Sequence, residues 1–207
     1  DLRDIGPTKA EQGEARETVA IVGPGTGLGV GGYVREMGIM VALVTEGGHM
    51  DFAPADDLDI EILQFLRARF GHVSVERILS GPGLANLFEA MAAIGGHPNK
   101  KLEAHDITAQ AVKDTNSFCG RVLSRFCAIL GSVAGDVALT MGARGGVLIG
   151  GGILPDAAEV FAKSEFRACF EAKARFTDYM KAIPTLLIAD PHAGLVGAGA
   201  ILARDAN

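Results

Sequence analysis

The spacing of apolar positions changes period along this chain, and the change marks where strands give way to helices. Residues 6–17 are polar and read as a loop feeding a strand at Thr18–Val22, which runs into the glycine-rich turn 23–29. Tyr33-Val34 and Ile39–Val44, set apart by glycines, predict further strands. Apolar positions 58, 62, 65, 66 and 70 then follow a helical period, with Asp56 or Asp57 placed to cap the helix. Ser74 is a second N-cap candidate, for a short helix stopping at Ser80-Gly81-Pro82-Gly83, and another helix is expected from about Leu84 to Ile94.

Residues 107–139 carry the strongest helical pattern, with a break near Asn116-Ser117 dividing a short helix from a long one. In the long helix Val122, Phe126, Ile129, Leu130, Val133 and Val137 form one wide apolar stripe. Its small residues Ala128, Gly131, Ala134 and Gly135 predict close packing on more than one side. A strand at Val147–Ile149 follows, then Gly150-Gly151-Gly152 and Pro155 at a helix start. Helices over 156–163 and 165–181, a strand over 186–189 and a terminal helix over 193–204 complete the pattern. Strands first, then helices alternating with single strands, predict an α/β layered domain.

Composition narrows the function classes. The 207 residues are enough to bury a real core, and 48% apolar with 21% charged is ordinary for a globular protein. The 28 glycines lack a period and so mark turns and close approaches. A net charge of −6 without a Lys/Arg cluster argues against nucleic acid or an anionic membrane as partner. Cys119, Cys127 and Cys169 cannot all pair and show no C-x-x-C spacing, which suits a reduced, cytoplasmic setting without structural zinc. The chain opens on Asp-Leu-Arg-Asp and not on Met with an apolar run, so no signal peptide is expected, and no 18-residue apolar span is read elsewhere.

Candidate chemistry concentrates in three segments. In Gly23-Pro24-Gly25-Thr26-Gly27-Leu28-Gly29, backbone amides can converge on an anion and the Thr26 hydroxyl adds a donor. A plain β-hairpin is an equal reading of that turn. Gly27-x-Gly29-x-x-Gly32 formally matches a dinucleotide fingerprint, but that fingerprint needs a helix to follow directly, and Gly31-Gly32-Tyr33-Val34 reads as strand. There is no Walker-type G-x-x-x-x-G-K-[ST]. In Glu46-Gly47-Gly48-His49, a carboxylate and an imidazole suited to sugar hydroxyls flank two glycines, where a ligand or a backbone approaches closely. Gly150-Gly151-Gly152, after an apolar strand, suits an adenine or ribose face, or is simply a tight connection. Glu76, read locally, is a routine first-turn helix acid. The remaining histidines show no metal-ligand spacing.

Taken together, these segments resemble the bacterial glucokinase family of the actin/hexokinase-like ATPase fold, from about Val19 to Arg204. Gly23–Gly29 is similar to the family's second phosphate loop, and Glu46 to Pro54 to its sugar-binding signature. Glu76 to Leu84 resembles the segment with a further glucose-binding glutamate, Gly145 to Ile153 the adenosine motif, and Gly194 to Ala200 the second connecting helix. The resemblance implies a ribonuclease-H-like (actin-like ATPase) α/β domain with a mixed sheet flanked by helices. It implies glucose held by Glu46, His49 and Glu76, and ATP with Mg2+ held through Gly25, Thr26, Gly27, Gly151 and Gly152. It also implies residues 1–189 as the large domain and 190–207 as a helix packing on a small domain. The family's Asp-x-Gly-Gly-Thr loop and its Asn-Asp-Phe segment, whose Asp is the catalytic base, are not in this sequence, so that base is expected upstream of Asp1 and this chain alone is expected to be inactive. The expected partners are glucose and ATP, with a homodimer left open and no protein-held metal. A non-catalytic sugar- or nucleotide-binding module of the same fold is the alternative.

Overall fold

The computed structural model describes residues 2–8, 16–98, 101–190, 192–197 and 199. Its centre is one mixed sheet of six strands. β2 (Arg16–Pro24), β3 (Leu28–Glu36) and β4 (Ile39–Val44) form an antiparallel meander. β5 (Gly146–Ile149) and β6 (Thr185–Ile188) add in parallel beside β2, and β1 (Leu2–Asp4) closes that edge antiparallel to β6. The spatial order is β1-β6-β5-β2-β3-β4. The parallel pairs follow from sequence separation, since the chain leaves β4 and returns to β5 only after its four longest helices. This is the mixed, helix-flanked α/β sheet that the sequence implied.

α1 (Asp57–Phe70) begins where Asp56 accepts a hydrogen bond from the Asp59 amide at 3.0 Å. α2 (Gly81–Ile94) and α3 (Ala104–Lys113) follow, and α4 (Phe118–Met141) runs through the core. The break before α4 is a cap: Ser117 Oγ accepts from the Gly120 amide at 3.0 Å. Phe126, Cys127, Leu130 and Ala134 of α4 are fully buried. Each large apolar side chain so placed contributes about 1.5–3 kcal/mol. The small residues of α4 do what their size suggested. A side-chain carbon on Gly131 would stand 2.1 Å from the Phe166 carbonyl oxygen, and one on Gly135 2.8 Å from that of Phe170, so α6 (Phe166–Glu171) lies directly on the α4 backbone.

Several expectations are corrected. Ser80-Gly81-Pro82-Gly83 starts α2 instead of ending a helix, because Ser80 Oγ accepts from the Gly83 amide at 3.0 Å and Pro82 stands where its missing N–H costs nothing. The short helix expected after Ser74 is a single 3-10 turn over Val75–Arg77. The helix expected over 156–163 is a 3-10 turn at Pro155–Ala157 followed by α5 (Ala158–Ala162). The helix expected over 165–181 divides into α6, a 3-10 turn at Ala174–Phe176 and α7 (Thr177–Lys181), the break lying at Ala174 with its φ of 47°. α4 contains the apolar span missed in the sequence: an 18-residue window of mean hydropathy 1.6, long enough for a bilayer, but 72% buried within this fold. Residues 193–197 of the terminal helix are helical, and most of its expected remainder lies outside the described residues.

Candidate functional site

The turn between β2 and β3 is a hairpin, so one of its two readings holds as structure. Its tip, Gly25-Thr26-Gly27, closes with the Gly25 amide donating to the Gly27 carbonyl at 2.8 Å. β3 continues as strand through Gly31 and Gly32, which removes the helix a dinucleotide fingerprint requires. Thr26 is exposed, and nothing in the chain lies within 4 Å of where a Gly25 side chain would stand. The tip therefore presents open backbone and a hydroxyl to solvent.

Glu46 precedes a 3-10 turn, Gly47–His49, whose first bond runs from the His49 amide to the Glu46 carbonyl at 3.0 Å. This turn puts both side chains on one exposed face, 89% and 63% accessible, with His49 Nε2 3.9 Å from Glu46 Oε2. The two glycines between them answer to the close approach of β3. A side-chain carbon on Gly48 would stand 2.2 Å from the Leu28 carbonyl oxygen, and one on Gly47 2.8 Å from the Val30 side chain. Thr45 Oγ1, donating to the Val30 carbonyl at 2.7 Å, fixes the same turn on β3.

Glu76 reaches this region from 30 residues away because two loops pair. The Val75 amide donates to the Met50 carbonyl at 2.9 Å and the Phe52 amide to the Val73 carbonyl at 3.0 Å, bracketing an antiparallel bridge between Asp51 and Ser74. Beside it, Asp51 Oδ1 and His72 Nε2 lie 2.5 Å apart on the surface. The Glu76 carboxylate accepts from the Leu28 amide at 2.8 Å, and the Gly81 amide donates to the Gly25 carbonyl at 2.7 Å. The hairpin tip is thus fastened to the Glu76 turn at one end and to the start of α2 at the other.

On the opposite side of the hairpin, Gly151 and Gly152 border a cleft of about 630 Å³. Its floor is the sheet surface at Ile21, Gly23, Gly29 and Gly31, and its rim carries Asp156, Asp190 and Gly194. The glycines of the floor widen it by withholding side chains. Gly152 has open space where a side chain would stand, so its backbone is approachable from the cleft. Glu46, His49, Glu76 and Thr26 do not line this cleft. The candidate residues therefore fall into two groups about one hairpin, exposed polar side chains in one and a largely apolar, glycine-floored cleft in the other. Asp156 and Asp190, acceptors at the cleft rim, were not singled out in the sequence; Asp156 in the turn after Pro155 was the one available signal. Among the described residues no cluster of three His, Cys, Asp or Glu side chains is arranged to hold a metal ion.

The architecture is the fold shared by glucokinases and hexokinases of known structure. The glucokinase of Balamuthia mandrillaris, solved in complex with glucose, superposes with a TM-score of 0.80 over 92% of this chain and 55% of its own, at 17% identity, a likeness of fold. The hexokinase from Thermus thermophilus, of the ROK group, shares that fold at a TM-score of 0.58 and 17% identity, over 88% of this chain and 56% of its own. The chain belongs to the glucokinase family, whose pattern it matches over residues 1–205. It is 50% identical to the glucokinase of Caulobacter sp. strain K31 over 205 residues, 99% of this chain and 61% of that relative. The crystal structure of a glucokinase from an Antarctic psychrotroph superposes with a TM-score of 0.87 at 39% identity, over 98% of this chain and 62% of its own. The chain thus spans about three fifths of the length of these relatives.

Proposed function

We propose that this chain provides the sugar site and most of the nucleotide site of an ATP-dependent glucokinase, which moves the γ-phosphoryl group of MgATP to the 6-hydroxyl of glucose. The observation that carries the reading is the pairing of two loops, through Met50 and Val75, that sets the Glu46–His49 face and the Glu76 turn beside the tip of one hairpin. Glu46 and Glu76 accept hydrogen bonds from sugar hydroxyls, and His49 offers one donor or acceptor more. The open amides of the tip and the Thr26 hydroxyl bind phosphate oxygens as they would any anion. Gly152 leaves room for the adenosine against the sheet floor, and Gly151 lets its turn lie directly on the Pro24 backbone. Magnesium enters with the nucleotide and neutralises charge on its phosphates. Phosphoryl transfer of this kind depends on positioning and charge stabilisation, with a carboxylate base assisting the attacking hydroxyl. The Asn-Asp-Phe segment that carries this base in the family has no counterpart among these residues.

A coupled assay for glucose 6-phosphate on the complete enzyme tests the reading. Glu46→Ala should lower kcat/KM for glucose by at least about 10-fold, the effect of leaving a sugar hydroxyl without its charged acceptor. A value equal to wild type would overturn it.

A further inference from the structure

We infer that Glu76 serves both sides of the transfer at once, holding the phosphate-loop tip with one carboxylate oxygen and the sugar with the other, so that sugar binding and tip geometry are coupled. This rests on the proposed glucokinase reading and goes beyond it, since that reading asks of Glu76 only a bond to sugar.

The geometry is specific. Glu76 Oε2 accepts from the Leu28 amide, the first residue of β3 after the tip. The same oxygen lies 2.5 Å from where a side-chain carbon on Gly27 would stand. Gly27 is thus bare for the sake of Glu76, and not only for an anion. Its φ is not in the left-handed region, so alanine fits the backbone there, and the atom it would meet is the far end of a flexible side chain. Among the described residues no donor reaches the other oxygen, Oε1, and the side chain is half-buried beside the Glu46–His49 loop. A carboxylate has lone pairs for both tasks. A hydroxyl donating to Oε1 restricts the rotation of the whole group and with it the oxygen that fixes Leu28. By linkage, whatever the sugar does to the tip, a ligand ordering the tip does to sugar affinity. Glu76 is in this sense a positioning residue for the phosphate loop as well as a sugar ligand.

Gly27→Ala tests this without removing any sugar-contacting group. Three quantities are read on this chain: glucose affinity by calorimetry, the same with saturating MgAMPPNP, and amide hydrogen exchange at Leu28. Wild type should show slower Leu28 exchange with glucose and at least about 5-fold tighter glucose binding with MgAMPPNP. Gly27→Ala, by displacing the carboxylate, should weaken glucose about 10-fold, speed Leu28 exchange and bring the MgAMPPNP effect close to one. Glu76→Gln, which keeps an acceptor oxygen, should retain Leu28 protection while weakening glucose. If Glu46→Ala weakens glucose but Gly27→Ala leaves glucose affinity and Leu28 exchange at wild-type values, the coupling is refuted and the sugar site stands. If Glu46→Ala has no effect on glucose, the sugar site itself falls.

Discussion

The carbonyl oxygen of Pro24 lies 2.0 Å from where a side-chain carbon on Gly151 would stand, with Gly151 at a φ of 87°. The two glycine-rich turns are therefore in backbone contact, one at the end of β2 and the other following β5. The Gly150 amide, donating to the Val22 carbonyl at 2.9 Å, extends the β2–β5 ladder into this contact. The turn proposed for phosphate and the turn proposed for adenosine share one support.

Gly151→Ala should accordingly lower unfolding stability by at least about 2 kcal/mol, because a backbone clash adds to left-handed strain. Gly152→Ala, one residue on and facing open space, should stay within about 0.5 kcal/mol of wild type. Urea unfolding of the two variants checks this. Equal effects would mean that the Pro24 contact does not hold the turns together.

Arg125 of α4 anchors the start of α1, directly after the segment from Glu46 to Pro54. Its Nε donates to Asp59 Oδ1 at 3.0 Å and its Nη1 to Asp56 Oδ2 at 2.8 Å, while Asp59 Oδ2 accepts from the Ala55 amide at 3.0 Å. The Asp59 carboxylate is 5% exposed, so Arg125→Ala leaves it charged and poorly paired at neutral pH, at a cost of about 3 kcal/mol. Burial already holds the Asp59 carboxyl above its ordinary value of 3.8 against the pull of Arg125, whereas the bond from Arg125 holds Asp56 below it. A raised group favours the folded state below its unfolded pKa and loses that as pH rises through the folded pKa. A lowered group stabilises above its unfolded pKa and loses that as pH falls through the folded one. Removing Arg125 raises Asp59 further and relaxes Asp56. Both changes make the variant's deficit largest at neutral pH; the Asp59 share shrinks as pH falls through its raised folded pKa, above 3.8, and the Asp56 share as pH falls through 3.8 and below. Denaturation at pH 7 and pH 3.5 checks the sign; a deficit that grows in acid would contradict it.

What was readable in the sequence was what is decided locally. The cap at Asp56 and the break at Ser117 follow from neighbours within a few residues, and the small face of α4 shows in residue size alone; each is in the fold. Ser80 was misread because serine before Gly-Pro suits either the end of one helix or the cap of the next, and only the Gly83 amide decides. The short strand β1 has no pattern of its own and exists through pairing with β6, far along the chain. Gly47-Gly48 invited a ligand or a backbone, and it is β3 that requires them, the Leu28 carbonyl at Gly48 and the Val30 side chain at Gly47. Glu76 looked like an ordinary helix acid because its acceptor role depends on Leu28, 48 residues away.

The most direct test of the account is calorimetric titration of glucose into this chain, wild type against Glu46→Ala. The side chain of Glu46 is almost fully exposed and supports no part of the fold, so its removal leaves the protein intact and tests the sugar site alone. The account predicts saturable one-to-one binding by wild type and an affinity at least about 10-fold weaker in the variant. Equal affinities, or no binding by the folded wild type, would contradict it.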